Sequence, residues 1–227
     1  MKRNIGTKVA IGLILIVILI LGGSIWFGYR KPQTVWQYTE SRLGYGKPDA
    51  DVAGKIVFLG DSIIGFENWN VLFGISNIAN FGASGNTTDD VIARLDSAIS
   101  AKPQKLFLMI GINDLLNGKD VAHVATNYET ILNKIKSESP DTIIYAQSVL
   151  PVNNDVLKSE TADNQKIIAL NDKLKVLANE RGIFFVDLYS AFSGADNKMR
   201  RGYAWDGLHP NSHGYAVWRD LIVQYIK

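Results

Sequence analysis

Ser62, Gly85, Asn113 and the pair Asp206/His209 are the residues whose types and spacing could do chemistry. They stand in the segments KIVFLGDSI, NFGASGNTT, LMIGINDLL and WDGLHPNSHGY. A serine hydroxyl is a weak nucleophile until a base removes its proton. His209 is the natural base, and Asp206, three residues before it, can orient the ring and stabilise its charged form. Gly85 allows close backbone approach and offers an amide. Asn113 offers a side-chain amide, and Ser62 its own backbone N–H. Such donors are what a developing oxyanion needs, each worth about 2.7–4 kcal/mol in the transition state. Together these parts describe acyl transfer, with ester hydrolysis as the leading form.

Each segment also has a plainer reading. A serine after a strand is commonly a turn or N-cap residue. NFGASGNTT can be a tight turn before a helix, and GINDLL a strand-end turn. Their joint occurrence in one chain is what points to chemistry. His123 falls in a helical pattern and reads as structural or exposed; His213 reads as the start of the last helix. Three scattered histidines, no cysteine and no HxH or HExxH spacing argue against a required metal. The absence of cysteine also excludes thiol catalysis and disulfides. FGASGNTT lacks GxGxxG, GDSIIG lacks the lysine of a phosphate loop, and there is no GxSxG elbow.

These residues need a scaffold that brings them to one place. After Gly54, short apolar runs alternate with helical patterns. Lys55–Leu59, Ser76–Asn80, Lys105–Ile110, Thr142–Gln147 and Ile183–Asp187 read as strands. Between them, Val91, Ile92, Leu95, Ala98 and Ile99 share a helical face, as do Val121, Val124, Ala125, Tyr128, Ile131, Leu132 and Ile135. Ile167, Ile168, Leu174, Leu177 and Ala178 support a third helix, and residues 213–226 a last one. Such alternation implies an α/β fold with a parallel sheet covered on both faces. Functional residues then belong at the carboxyl ends of strands. Ser62, Gly85 and Asn113 follow the first three strands, and Asp206 and His209 follow the fifth.

The N-terminus is of another kind. Val9–Tyr29 is a run of 21 residues without a charge, and roughly 20 helical residues cross a bilayer core. Lys2, Arg3 and Lys8 before it favour a cytoplasmic N-terminus, with the rest of the chain outside. Residues 1–30 are therefore expected to form a transmembrane signal-anchor, or alternatively a cleaved signal peptide. Residues 31–54 read as a linker and 55–227 as the catalytic domain. Residues 1–30 carry four basic side chains and no acid. Taking those four from the chain's 24 basic residues leaves 20 against 22 acids, so no nucleic-acid footprint follows.

GDSI, FGASGNTT, GIND and DGLHP, in that order, resemble the four blocks of the SGNH hydrolase, or GDSL esterase/lipase, superfamily. The resemblance spans about residues 55–215. It is nearest to compact bacterial members similar to platelet-activating-factor acetylhydrolase α-subunits and lysophospholipase/thioesterase I. It implies a three-layer α/β/α sandwich with a five-stranded parallel, flavodoxin-like sheet. It implies Ser62 as nucleophile, His209 as base, Asp206 as its partner, and an oxyanion hole from Ser62, Gly85 and Asn113. It implies no cofactor. Asn86 departs from the pattern, since many relatives carry an acid after the glycine.

Substrate is less constrained. A small domain without a long insertion suggests an open site and a short acyl group, such as O-acetyl groups on a carbohydrate. A lysophospholipase, a carbohydrate O-acetyltransferase and a catalytically idle glycan-binding domain are the alternatives. Ile63, Phe66, Leu115 and Trp205 adjoin the blocks and are candidate pocket residues, with core packing as the other reading. Lys198, Arg200 and Arg201 could meet an anionic substrate or simply form a solvated loop.

Overall fold

Five short strands supply the frame, and in the central ones every residue is buried. The computed structural model describes residues 53–227. The expected membrane segment at residues 9–29, and nearly all of the linker, lie outside the described residues. Among the described residues no helix is long and apolar enough to cross a membrane. The strands are β1 (Ile56–Gly60), β2 (Ile78–Gly82), β3 (Lys105–Met109), β4 (Ile143–Gln147) and β5 (Phe184–Val186). They form one sheet in the order β2-β1-β3-β4-β5, and every pairing is parallel. β1 and β3 are buried along their whole length, which explains the apolar runs Ile56–Gly60 and, after Lys105, Leu106–Met109.

Nine helices connect and flank the described strands: α1 (Ser62–Gly65), α2 (Trp69–Phe73), α3 (Thr88–Ile99), α4 (Ile112–Leu116), α5 (Val121–Glu138), α6 (Asn154–Leu157), α7 (Asn164–Glu180), α8 (Tyr189–Phe192) and α9 (Ser212–Ile226). α3, α5 and α7 pack side by side. The expected apolar faces are the buried ones: Val91, Leu95 and Ala98 in α3, Val124, Tyr128, Ile131 and Ile135 in α5. α2 and α9 pack together through Trp69 and Trp218, whose rings lie 5.2 Å apart.

Register turns one sheet face into an aromatic ladder. Phe58, Phe107, Tyr145 and Phe184 pair across β1, β3, β4 and β5. Their rings stack at 4.8, 4.5 and 5.2 Å, and Trp69 covers Phe58 at 4.2 Å. Stacked pairs add about 0.5–1.5 kcal/mol each beyond area burial. Lys105 stands on the same strand as Phe107, two residues before it. Its ammonium donates to the carbonyls of Tyr225 and Lys227 at 2.7 and 2.8 Å, closing the carboxyl end of α9.

Four strand expectations agree with the structure to within a residue at each end. The second needs correction: β2 runs from Ile78 to Gly82 rather than from Ser76 to Asn80. Asn70 explains its start, because its side chain both accepts from the Ile78 amide and donates to the Ile78 carbonyl, each at 2.9 Å. Gly82 explains its end. It pairs with Gly60, and α1 lies directly against it. A Cβ at Gly82 would stand 2.1 Å from the Gly65 nitrogen.

That approach is backbone on backbone and cannot yield by a rotamer change. Gly82→Ala is therefore expected to lower unfolding stability by about 3 kcal/mol, the upper range for overpacking. Gly202, where a Cβ would meet nothing within 4 Å, is the control. Denaturant melts showing equal losses for Gly82→Ala and Gly202→Ala would refute the account.

Candidate active site

β1 feeds directly into α1 through Asp61, and the serine opens the helix. Asp61 caps α1, its Oδ1 accepting from the Ile63 amide at 2.9 Å. Ser62 is thus the first residue of α1, almost fully buried, at the carboxyl end of a central strand. It sits beside the point where the strand order reverses, between β1 and β3, where doubly wound sheets place their ligands.

His209 arrives from the loop after α8. Its Nε2 lies 2.9 Å from Ser62 Oγ. Its Nδ1 lies 2.6 Å from Asp206 Oδ2. The other Asp206 oxygen accepts from the amides of Leu208 and His209 at 2.9 and 2.8 Å. One carboxylate therefore shapes the turn with one oxygen and orients the ring with the other. Partial burial pushes the Asp206 carboxyl up. The hydrogen bonds from the His209 ring and amide, the His209 charge and the Leu208 amide outweigh it and hold the group at about 2. Asp206 is therefore ionised at neutral pH.

Gly85 follows β2 in a tight turn closed by the Asn86 amide on the Ala83 carbonyl at 3.0 Å. Its φ of +76° is left-handed backbone that favours glycine. Asn113 lies in α4, and its side-chain amide donates to the Asn86 carbonyl at 2.8 Å. One Nδ2 hydrogen remains for another acceptor. The loops after β2 and β3 are thereby joined. Asp114, next to Asn113, strengthens the join: its carboxylate accepts from the Thr88 hydroxyl at 2.6 Å and the Thr88 amide at 2.9 Å.

The pocket expectations divide. Phe66 is half-buried, its ring 4.9 Å from that of His209. Trp205 is 42% exposed, 6.4 Å from the same ring. Both flank the imidazole. Ile63 and Leu115 are corrected to core residues, with 1% and 2% of their surface exposed. Their side chains complete the packing under α1 and α4, and the Ile63 carbonyl accepts the buried Tyr215 hydroxyl at 2.7 Å. The basic cluster is engaged within the protein. Lys198 pairs with Asp155 at 2.8 Å and Arg201 with the same carboxylate at 3.7 Å. Arg200 donates to the Ser193 carbonyl and stacks over Tyr203.

His213 is the second residue of α9 and is exposed. His123, in α5, lies 3.2 Å from Asp89. Asp89, Asp114 and His123 come together, a grouping their spacing did not foretell. It is internally hydrogen-bonded: Asp114 accepts from Thr88, and Asp89 from Asn127.

Residues 58–217 match the model of the GDSL-like Lipase/Acylhydrolase family. The chain belongs to this family. It is accordingly an acylhydrolase of ester bonds. It is 28% identical over 190 residues to the platelet-activating factor acetylhydrolase IB subunit alpha2 of Rattus norvegicus, covering 78% of this chain and 80% of that one. Among solved structures, one from Streptococcus pneumonia, described as a platelet activating factor, superposes with a TM-score of 0.73. It is 27% identical and covers 94% of this chain and 99% of its own. Axe2, an acetylxylan esterase from Geobacillus stearothermophilus, shares the fold at TM-score 0.62 and 21% identity, covering 76% of this chain and 94% of its own.

Several site residues escaped the sequence reading: Asp61, Thr88, Asp114, Arg94 and Tyr215. Only the start of α3 carried a readable signal. TTDD contains the Thr87/Asp90 capping box, which is formed. Asp61 is the least expected of them. It is completely buried, and its Oδ2 has no hydrogen-bond partner. Burial lifts it from 3.8 to about 7, against the Ile63 amide and the His209 charge, while Asp114 adds to the rise.

A folded-state value above the unfolded one means the folded protein holds the extra proton between about pH 4 and 7. The contribution of Asp61 is therefore fully present below pH 4 and is lost as pH rises to 7. Asp61→Asn keeps an acceptor for the Ile63 amide and removes the titration. Urea melts at pH 4.5, 6 and 7.5 should show the variant gaining on the wild type with pH, by a few kcal/mol on the order implied by the shift. A stability difference that stays constant across the three would show that Asp61 is not held neutral.

Proposed function

We propose that this protein is a serine esterase that removes short acyl groups, acetyl above all, through an acyl-enzyme on Ser62. The observation that carries the reading is the continuous contact from Ser62 Oγ to His209 Nε2 and from His209 Nδ1 to Asp206 Oδ2, at 2.9 and 2.6 Å. In the first half-reaction His209 takes the Ser62 proton as Oγ attacks the ester carbonyl. The oxyanion is received by the Ser62 and Gly85 amides and the Asn113 side chain. Collapse expels the alcohol, which takes the proton back from His209. In the second half-reaction His209 deprotonates water, which releases the acid and regenerates Ser62. Asp206 remains ionised throughout, holding the ring in the tautomer that leaves Nε2 free to accept.

The preference for acetyl rests on the acetylhydrolase relative and on the flank of the imidazole. Phe66 and Trp205 offer flat aromatic surface at the rim, suited to the face of a sugar or another planar or apolar alcohol group. The domain would act outside the membrane, anchored through residues 9–29. That part of the reading rests on the charge-free run and its basic flank.

Hydrolysis of p-nitrophenyl esters of increasing chain length by residues 31–227 tests the chemistry. Ser62→Ala should lower kcat by about 10⁴-fold or more, as loss of a nucleophile does elsewhere. Activity confined to acetyl and propionyl esters is expected. A preference for long chains would replace this reading by a lipase or lysophospholipase, and turnover unchanged by Ser62→Ala would remove the mechanism. The location has its own test. External protease on intact bacterial cells producing the full chain should digest the domain. Protection until lysis would reverse the orientation.

A further inference from the structure

The loop that carries Gly85 is held from behind by one side chain. Arg94 lies nearly two turns into α3, and its guanidinium folds back toward the strand ends. Its Nε donates to Asn86 Oδ1 at 2.6 Å. Its Nη2 donates to the Gly60 carbonyl at 2.8 Å and the Phe81 carbonyl at 2.9 Å. Those carbonyls belong to the last residue of β1 and the next-to-last of β2. The Gly60 carbonyl also accepts the Ala83 amide at 3.0 Å, which anchors the start of the loop. One planar cation thus binds two strands and the loop between β2 and α3.

Asn86 passes this constraint on. Its side chain is held by Arg94, its amide closes the turn on Ala83, and its carbonyl accepts from Asn113. Gly85 is its immediate neighbour. We propose that Arg94 is a positioning residue for ester hydrolysis, fixing through Asn86 the Gly85 amide and the Asn113 side chain that receive the oxyanion. The inference rests on the acyl-transfer reading above. Stabilisation of this kind requires donors already in place when charge develops, and a misplacement near 1 Å can cost about 10²-fold. Arginine suits the task because its rigid fork reaches three acceptors at once. Lysine, a point charge on a flexible stem, does not reproduce that geometry.

The test compares Arg94→Ala, Arg94→Lys, Asn86→Ala and the Asn86/Arg94 double alanine variant. Three quantities are read: kcat and KM on p-nitrophenyl acetate, the rate at which a fluorophosphonate labels Ser62, and thermal unfolding. Arg94→Ala should lose about 10²-fold in kcat with KM nearly unchanged, and labelling should slow in parallel. Asn86→Ala should lose a comparable factor. The double variant should be no worse than the poorer single one, because both act along the same path. Added ethylguanidinium should restore part of the kcat of Arg94→Ala. Should Arg94→Ala fail to fold, Arg94→Lys carries the test, with about a tenfold loss in kcat expected for a partly kept contact. Unchanged kcat in a folded variant, a loss confined to KM, or single losses that multiply in the double variant would each overturn the proposal. If fluorophosphonate does not label Ser62 in the wild-type protein, the acyl-transfer reading falls and takes this inference with it. Normal labelling of the wild type beside unaffected variants overturns this inference alone.

Discussion

Ser62 and His209 stand 147 residues apart and meet at 2.9 Å. A side-chain hydrogen bond needs its heavy atoms within about 3.2 Å and in good alignment. Almost the whole domain must therefore fold before the contact exists. The nucleophile is placed by the sheet, at the end of a strand buried from both sides. The histidine is placed by a loop, which has no ladder to hold it. The loop is pinned instead by individual polar contacts. Asn153 donates its amide to the Gly207 carbonyl at 2.8 Å and its side-chain nitrogen to the Met199 carbonyl at 2.8 Å. Tyr215, six residues after His209, bonds the Ile63 carbonyl, one residue after Ser62. That single bond ties the two halves of the relay at their roots. It is buried, so losing it would strand a carbonyl without water.

The same edge of the sheet shifts its acids in opposite directions. Burial raises Asp61 and Asp114, with Thr88 hydrogen bonds opposing the rise at Asp114. Asp206, half-exposed and hydrogen-bonded to an imidazole and two amides, is lowered. Environment alone separates them, since the side chains are identical. The consequence is functional. A charge beside the nucleophile would compete with the oxyanion for the amides at the start of α1, whereas a charge at Asp206 supports the imidazolium formed at the same instant. Burial thus favours the neutral form of Asp61, and hydrogen bonding the ionised form of Asp206.

Much of this was legible in the sequence, for a physical reason. Strands buried on both faces are apolar wherever no partner meets a polar group, so β1 and the Leu106–Met109 run of β3 announce themselves. Long helices on a sheet must show a 3.6-residue stripe, so α3, α5, α7 and α9 do too. Ser62, Asp206 and His209 stood out because loops at strand ends carry few sequence constraints other than function, and the fold brings them together. What stayed hidden lacks periodicity. α1, α2, α4, α6 and α8 have four or five residues each, too few for a stripe, and are set by caps such as Asp61, Asn68 and Asn153. Ile63 and Leu115 show the other failure. Adjacency to a catalytic residue in sequence says nothing of direction, and in a helix the next side chain points about 100° away, here into the core. Arg94 was invisible because the main-chain carbonyls and the amide side chain it donates to leave no spacing rule.

Substrate choice depends on the least legible part. The nucleophile, base and oxyanion donors serve any acyl transfer, and an acyl-enzyme on Ser62 is indifferent to whether water or a sugar hydroxyl resolves it. Only groups beyond the relay can decide. Phe66 and Trp205 are the aromatic rings beside His209, the residue that would deprotonate the second acceptor in the proposed reaction. Both stand outside the regular elements, one just past α1 and the other in the loop before α9. Such segments can change without disturbing the sheet, whereas Gly82, Tyr215 and the Asp206 turn cannot. The structure therefore separates a centre built on the strand ends from a rim of loop residues. In the proposed reaction, acceptor and leaving group would be selected at that rim.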